Sequence, residues 1–425
     1  MRTNFSPLQL TDPHITEAER TLRACVHCGI CTATCPTYVL LGDERDGPRG
    51  RIVLIQNMLE KGGVPDAETV LHVDRCLSCL ACRTACPSSV DYARLIDEAR
   101  AHIQTHYRRP PGDRLFRWLL ATVLPRPALM RVGLFVARLF SPFASLLPGR
   151  LGVMARNGAR AAFAPEQGSV RIVVPNARRV ALMPGCVQAA MAPGIDAAVA
   201  RVLARRGIDL VPLEGAGCCG SLLHHLGRSE DARDWACRAI EAFERAGGAD
   251  ALEGVLITAT GCSAHLKDLS YLFLNDPLWL PRAKAFAGAA RDFLELVEPG
   301  EAAAPRHLRV AWQAACSLQN GLHVAGRAEA LIAAAGFEPL AIPEGHLCCG
   351  SAGTYSVQQP EIAQALRRRK LDNIAAVEPD IIATSNFPCL NHLAGADVPP
   401  IVHLAELLDW SEGGPVPVAL AERAG

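Results

Sequence analysis

Two stretches of this chain place four cysteines at one repeated spacing. Cys25, Cys28, Cys31 and Cys35, the last followed by Pro36, are matched by Cys76, Cys79, Cys82 and Cys86, followed by Pro87. Three thiolates at three-residue steps wrap one face of an iron-sulfur cube. The fourth, held beside a proline of fixed φ, points away toward a second cube. On that logic Cys25, Cys28, Cys31 and Cys86 hold one 4Fe-4S cluster, and Cys76, Cys79, Cys82 and Cys35 hold the other. Zinc motifs usually pair two C-x-x-C units and do not place four cysteines in each run. Fully cysteine-ligated cubes carry single electrons and leave no iron open to an organic substrate, so chemistry on carbon belongs elsewhere. No G-x-G-x-x-G follows a strand and no phosphate loop is found, which implies a separate flavoprotein.

The later cysteines repeat as well. Cys186 precedes Cys218-Cys219-Gly220 and Cys316 precedes Cys348-Cys349-Gly350, both by 32 residues. Each half then reaches Cys262-Ser263-Ala264-His265 or Cys389-Leu390-Asn391-His392, expected at the end of a strand. Such soft ligands select iron-sulfur clusters or zinc. A third metal centre is therefore expected among Cys186, Cys218, Cys219, Cys262, Cys316, Cys348, Cys349 and Cys389, with His265 or His392 to complete it. The competing reading is small buried thiols packed where two lobes meet. Cys237, in the helical run 229–246, belongs to neither set and reads as core. His224 and His225 read as a helix start, with cluster contact or proton transfer as the alternative, and Tyr355 reads as packed in its glycine-rich turn.

These groups need elements to hold them. The loop from Tyr38 to Arg51 precedes a helix expected over 52–59, and its Arg49 and Arg51 either lie near the anionic clusters or pair with Asp43, Glu44 and Asp46. Beyond residue 178, β-rich runs at 180–183, 254–260, 309–312 and 380–385 alternate with Ala-rich helical stretches such as 194–206, the rhythm of parallel α/β layers. The expected fold class is α/β plus α-helical. An N-terminal helical, ferredoxin-like two-cluster domain (1–105) leads through an Arg-rich apolar connector (106–178) to two repeated Cys-Cys-Gly lobes (179–305 and 306–425). The connector reads either as an amphipathic surface for a membrane or partner, or as short packed helices with solvated arginines. The second is commoner, and only an exposed apolar face overturns it.

At 425 residues and 50% hydrophobic composition the chain suits several cores. Its 43 basic and 43 acidic residues cancel, so no net field draws it to nucleic acid. The N-terminal residues lack a signal-peptide core, so a cytosolic chain is expected, and 17 cysteines there point to metal rather than disulfides. The uncharged stretch 139–149 is too short and too broken by proline to span a bilayer.

Together these residues resemble the iron-sulfur subunit of glycolate oxidase (glycolate dehydrogenase), above all Leu22-Arg23-Ala24-Cys25-Val26-His27-Cys28-Gly29, the loop 41–51, and Cys348-Cys349-Gly350-Ser351-Ala352-Gly353-Thr354-Tyr355. The resemblance runs nearly end to end. It implies a complex whose FAD-containing subunits oxidise glycolate to glyoxylate while this chain passes electrons toward a quinone or other acceptor, with peripheral placement on the cytoplasmic face of the inner membrane as the membrane alternative. Before Cys316 the family tends to place His and Cys, whereas this chain has Gln313 and Ala314. The lobes also look like those of heterodisulfide reductase subunits, which end in C-x-x-C where this chain has histidine. Rival readings are the iron-sulfur subunit of a D-lactate or glycerol 3-phosphate dehydrogenase and a non-redox docking subunit.

Overall fold

The computed structural model describes residues 1–143, 146, 150, 152, 154, 172–303, 307–324 and 326–424. Connector arginines 156 and 160 lie outside the described residues, as does part of the stretch 139–149.

The N-terminal part is helical because its sequence starts and stops helices cleanly. Asp12 accepts from the His14 N–H and Pro13 takes the first helical position, opening Pro13–Ala24. Pro36 and Pro48 likewise open Pro36–Leu41 and Pro48–Lys61. The long helices Pro13–Ala24, Pro48–Lys61 and Tyr92–His106 pack with Ala67–Asp74 around Leu22, Ile55, Leu59, Val73, Leu95 and Ile103, all buried. Each such side chain contributes about 1.5–3 kcal/mol by leaving water, and their shared core fixes the cysteine runs at the helix ends.

Two four-stranded sheets follow, each entirely parallel. The first holds β1 (Arg178–Leu182), β2 (Ile208–Pro212), β3 (Gly254–Leu256) and β4 (Ala290–Arg291) in the order β2-β1-β3-β4. The second holds β5 (Arg309–Trp312), β6 (Glu338–Leu340), β7 (Ile381–Thr384) and β8 (Ile401–His403) in the order β6-β5-β7-β8. The orders correspond strand for strand, and so do the central registers, Val180 opposite Gly254 and Val310 opposite Ile381. The cysteine repeat is thus a repeat of fold. Strands β3 and β7 are buried along their whole length, as expected of parallel strands covered on both faces.

The lobes share one core that includes Val180, Leu203 and Phe293 of the first and Trp312, Ile382 and Leu408 of the second. Across the seam, buried Asp409 accepts from Arg201 at 2.8 Å and Arg205 at 2.7 Å. At the repeat's pseudo-symmetric junction the Thr260 hydroxyl donates to the Ser385 carbonyl at 2.8 Å, and the Gly261 N–H to Asn386 Oδ1 at 3.3 Å.

Two expectations change. The strands stop at Leu256 and Thr384, so Cys262 and Cys389 do not end strands. They sit in the first turns of the helices Thr260–Lys267 and Phe387–Leu393. Cys-x-x-His therefore spans one helical turn. The connector also departs from the packed-helix reading. Its helices Pro111–Val123 and Pro127–Leu139 bury only Leu120, Ala121 and Leu134, and leave Leu115, Trp118, Val132, Phe135 and Leu139 exposed. Apolar residues here repeat at helical spacing on the outer face, which periodicity alone cannot distinguish from an inner one.

Candidate metal centres

The backbone of the two N-terminal runs is the same turn made twice. Residues two and four positions after the first cysteine take left-handed φ in both: His27 (63°) and Gly29 (82°), then Ser78 (52°) and Leu80 (57°). These turns curl the chain so that successive thiols converge. At Gly29 a side chain would also collide with Arg49, whose Nη1 lies 2.5 Å from where a Cβ would sit. Leu80 holds the equivalent conformation without that freedom, a local strain of about 1–3 kcal/mol that the packed domain must outweigh.

The structure brings the eight cysteines into two pockets. Cys25, Cys28, Cys31 and Cys86 line one, together with Cys82. Cys35, Cys76, Cys79 and Cys82 line the other. None is in a disulfide. Burial, followed by the neighbouring thiols of Cys25 and Cys86, pushes the Cys31 thiol up to about 11. Burial likewise raises Cys79 and Cys82. Thiols crowded this way gain from a cationic centre that accepts them as thiolates, which is the donor set an iron-sulfur cube requires.

Around the second pocket the protein supplies a buried cation. Arg51, 1% exposed, donates Nε to the His72 carbonyl at 2.7 Å and Nη2 to the Thr37 hydroxyl at 3.1 Å, with Nη1 3.8 Å from Cys35 Sγ. Burial works against its charge, but Cys76, Tyr92, Cys35 and Asp46 together hold its pKa above the usual arginine value. Asp46, fully buried, meets Arg51 at 3.4 Å, His72 at 2.9 Å and Arg75 at 2.9 Å. Arg49 behaves otherwise and pairs with Glu44 at 2.6 Å. The two arginines that sequence treated together thus divide. Tyr92 was not singled out from sequence, yet its hydroxyl approaches Cys76 Sγ at 3.9 Å. Its only signal was a position six residues after Cys86.

In the lobes, Cys186, Cys218 and Cys219 are buried neighbouring thiols held above the usual thiol range by one another and by burial, and Cys262 lies beside Cys219. Cys316 and Cys348 lie 4.0 Å apart and Cys349 and Cys389 3.3 Å apart. Zinc–sulfur bonds of about 2.3 Å would bring four thiolates to about 3.8 Å from one another. Among the described residues, no three cysteine sulfurs lie within 4.8 Å of one another. The lobe thiols are gathered in close pairs, at spacings that suit either kind of centre. His392 is engaged with the Ala363 carbonyl at 3.3 Å, whereas His265 Nε2 has no hydrogen-bond partner among the described residues. Cys237 is half-buried against the first lobe's core, and Gln313 donates to the neighbouring Ala314 carbonyl at 2.9 Å.

The second pocket touches the second lobe directly. Leu77 and Cys79 pack in one apolar cluster with Cys316, Cys348 and Tyr355. Asn320 Nδ2 donates to the Cys79 carbonyl at 2.9 Å, and the Tyr355 hydroxyl to the Arg75 carbonyl at 2.9 Å. On the first lobe's side, His224 meets Asp97 at 3.2 Å. Burial alone would raise the Asp97 carboxyl, but His224 outweighs it and holds Asp97 below the usual carboxylate range. Asp97 in turn holds His224 above the usual imidazole range against its own burial. Nearby, Gly227 takes φ +80°, and a Cβ there would sit 2.3 Å from the Arg100 carbonyl, so the domains meet at backbone contact.

Comparison with known proteins agrees with this layout. Residues 24–90 match the 4Fe-4S dicluster domain, and residues 180–267 and 310–394 each match the cysteine-rich domain. The chain is 39% identical to the glycolate oxidase iron-sulfur subunit of Escherichia coli (strain K12), over 96% of this chain and 98% of that one. It is 30% identical to the probable glycolate oxidase iron-sulfur subunit of Bacillus subtilis (strain 168), over 92% and 94%. Lactate utilization protein A of Exiguobacterium sp. (strain ATCC BAA-1283 / AT1b) is 26% identical over 54% of this chain. Among the described residues no helix is long and apolar enough to cross a membrane. An iron-sulfur domain followed by paired cysteine-rich lobes, matched end to end at this identity, places the chain in the family of glycolate oxidase iron-sulfur subunits.

Proposed function

We propose that this chain carries electrons from FAD-containing partner subunits that oxidise glycolate to glyoxylate, and delivers them to a quinone or other acceptor. Cys25, Cys28, Cys31 and Cys86 would hold one 4Fe-4S cluster, and Cys76, Cys79, Cys82 and Cys35 the second. When bound, such clusters accept and release one electron at a time, which lets a two-electron oxidation on a flavin discharge in single steps.

The observation that carries a direction is the unequal placing of the two pockets. The first lies at the surface: Cys28 is exposed, flanked by exposed Val26 and Ile30. The second is covered by the second lobe through Leu77, Cys79 and Tyr355. An apolar rim around the outer pocket suits a docking flavoprotein, and the inner pocket faces onward. Arg51 and Ser78 aim donors at the inner pocket's sulfurs, with Arg51 Nη1 3.8 Å from Cys35 Sγ and the Ser78 N–H 3.4 Å from Cys76 Sγ. Donors and buried positive charge stabilise the reduced, more anionic state of a thiolate-bound cluster.

Substrate assignment is tested in extracts of cells lacking only this chain, each compared with the restored strain. Glycolate-dependent dye reduction is expected to vanish and return on restoration, while D-lactate-dependent reduction stays. Loss of D-lactate activity alone would assign the chain to that dehydrogenase instead.

A further inference from the structure

One polar atom at the outer pocket is left without a partner. Nδ1 of His27 is buried and makes no hydrogen bond among the described residues. His27 lines that pocket with Cys25, Cys28 and Cys31, and of the other lining side chains only Arg49 carries an N–H. Arg49 is held by Glu44 at 2.6 Å and is partly exposed, so its charge is balanced and screened. The imidazole is the uncommitted N–H donor among the described residues of this pocket.

The inner pocket treats the same position differently. Ser78, like His27 two residues after the first cysteine of its run, takes the same left-handed turn, with φ 52° against 63°. Its hydroxyl accepts from Arg100 Nη1 at 2.6 Å, and its N–H lies 3.4 Å from Cys76 Sγ. The inner pocket also has the buried guanidinium of Arg51, whereas no buried cation lines the outer one among the described residues. A polar nitrogen buried without a partner costs free energy, which an acceptor arriving in the pocket would recover. The acceptors that this ring of thiols is built to receive are the thiolates and sulfides of a cube.

We propose that the His27 Nδ1–H donates a hydrogen bond to a sulfur of the cluster held by Cys25, Cys28, Cys31 and Cys86, and so raises the reduction potential of the cluster where electrons enter. The inference rests on the electron-transfer reading above, to whose first step it gives a named donor. Reduction adds one electron, drawn from the partner's flavin, and no proton leaves the ring. The added negative charge falls partly on the sulfurs. A donor already in place therefore binds the reduced state more strongly than the oxidised one, and the potential rises. Without that donor the outer cluster becomes the poorer acceptor, while the inner one keeps Arg51 and Ser78.

The test is an anaerobic redox titration of the whole chain with both clusters loaded, using dithionite and followed by electron paramagnetic resonance. In His27→Leu one of the two reduction steps should shift so that its reduced-to-oxidised ratio at a fixed potential falls about tenfold, which is about 59 mV for one electron. The other step should move far less. His27→Asn suits the left-handed turn and offers an amide N–H close to the place of Nδ1, so it should recover most of the shift. A second measurement needs no leucine variant. In parent chain carrying 15N-histidine, electron spin-echo modulation should show a histidine nitrogen coupled to a reduced cluster, and His27→Asn should abolish that coupling. Unmoved steps in His27→Leu, a shift that asparagine does not reverse, or a parent spectrum without histidine coupling overturns the proposal. Glycolate is then added to the assembled complex. Clusters that dithionite reduces and glycolate does not would remove the relay while leaving the hydrogen bond in place.

Discussion

Replacing Cys35 by alanine is expected to cost the chain one cluster of the inner pocket, about four irons, and to lower glycolate-linked turnover by at least about a hundredfold, because removal of a ligand exceeds the 10–100-fold loss usual for outer-shell partners. The pairing of residues gives this result its force. Cys35 belongs to the first run in sequence, but it lines the pocket of Cys76, Cys79 and Cys82. If the fourth cysteines exchange, a Cys35→Ala/Cys76→Ala double variant loses no more iron than either single variant, while Cys35→Ala/Cys25→Ala loses both clusters. Iron analysis of anaerobically purified chain, with the untouched pocket as internal control, separates the two patterns. Loss of both clusters in the Cys35→Ala/Cys76→Ala chain would mean that each run holds its own.

Arg51→Met should be the most damaging substitution outside the cysteines. It removes a guanidinium 1% exposed and leaves Asp46, 0% exposed, with only His72 and the partly exposed Arg75 to balance it. Breaking a buried pair by deleting one partner costs about 3–5 kcal/mol, more than the same charges are worth at a surface. The measurement is the urea midpoint for cluster release, followed by cluster absorbance. Arg51→Met should release iron at markedly lower urea than the parent. Arg49→Met, which removes only the partly exposed partner of Glu44, should change the midpoint little. Equal effects at both positions would show that the network around Asp46 does not hold the inner pocket.

How far the sequence carried depended on whether the constraint was local. Spacing of thiols is local, so the two runs, their terminal prolines and the 32-residue repeat announce the pockets and the paired lobes. Strand β5 fell where β-rich composition placed it, at Arg309–Trp312. The short strands β4 and β6 carried no pattern long enough to notice, since two or three residues cannot display a period. Cys262 and Cys389 were misplaced by a turn because strand and helix meet within a few residues there, where boundaries leave the least trace. The division between Arg49 and Arg51 was invisible for another reason. Both sit on one helix two positions apart, and only the packing of Ala67–Asp74 against it decides that one faces Asp46 and the other solvent. The connector shows the same limit in reverse: its apolar periodicity was plain, but which face met water was a property of the whole fold.

The relay is tested most directly by freezing the anaerobic complex within one turnover of adding glycolate and recording its electron paramagnetic resonance spectrum. Two cubes held in adjoining pockets that share Cys82 and Tyr92 along their walls should give reduced-cluster signals broadened by mutual interaction, which simplify to one isolated signal in the Cys35→Ala chain. A complex in which glycolate reduces the flavin and leaves the clusters oxidised, although dithionite reduces them, would contradict the assignment of this chain as the path of the electrons.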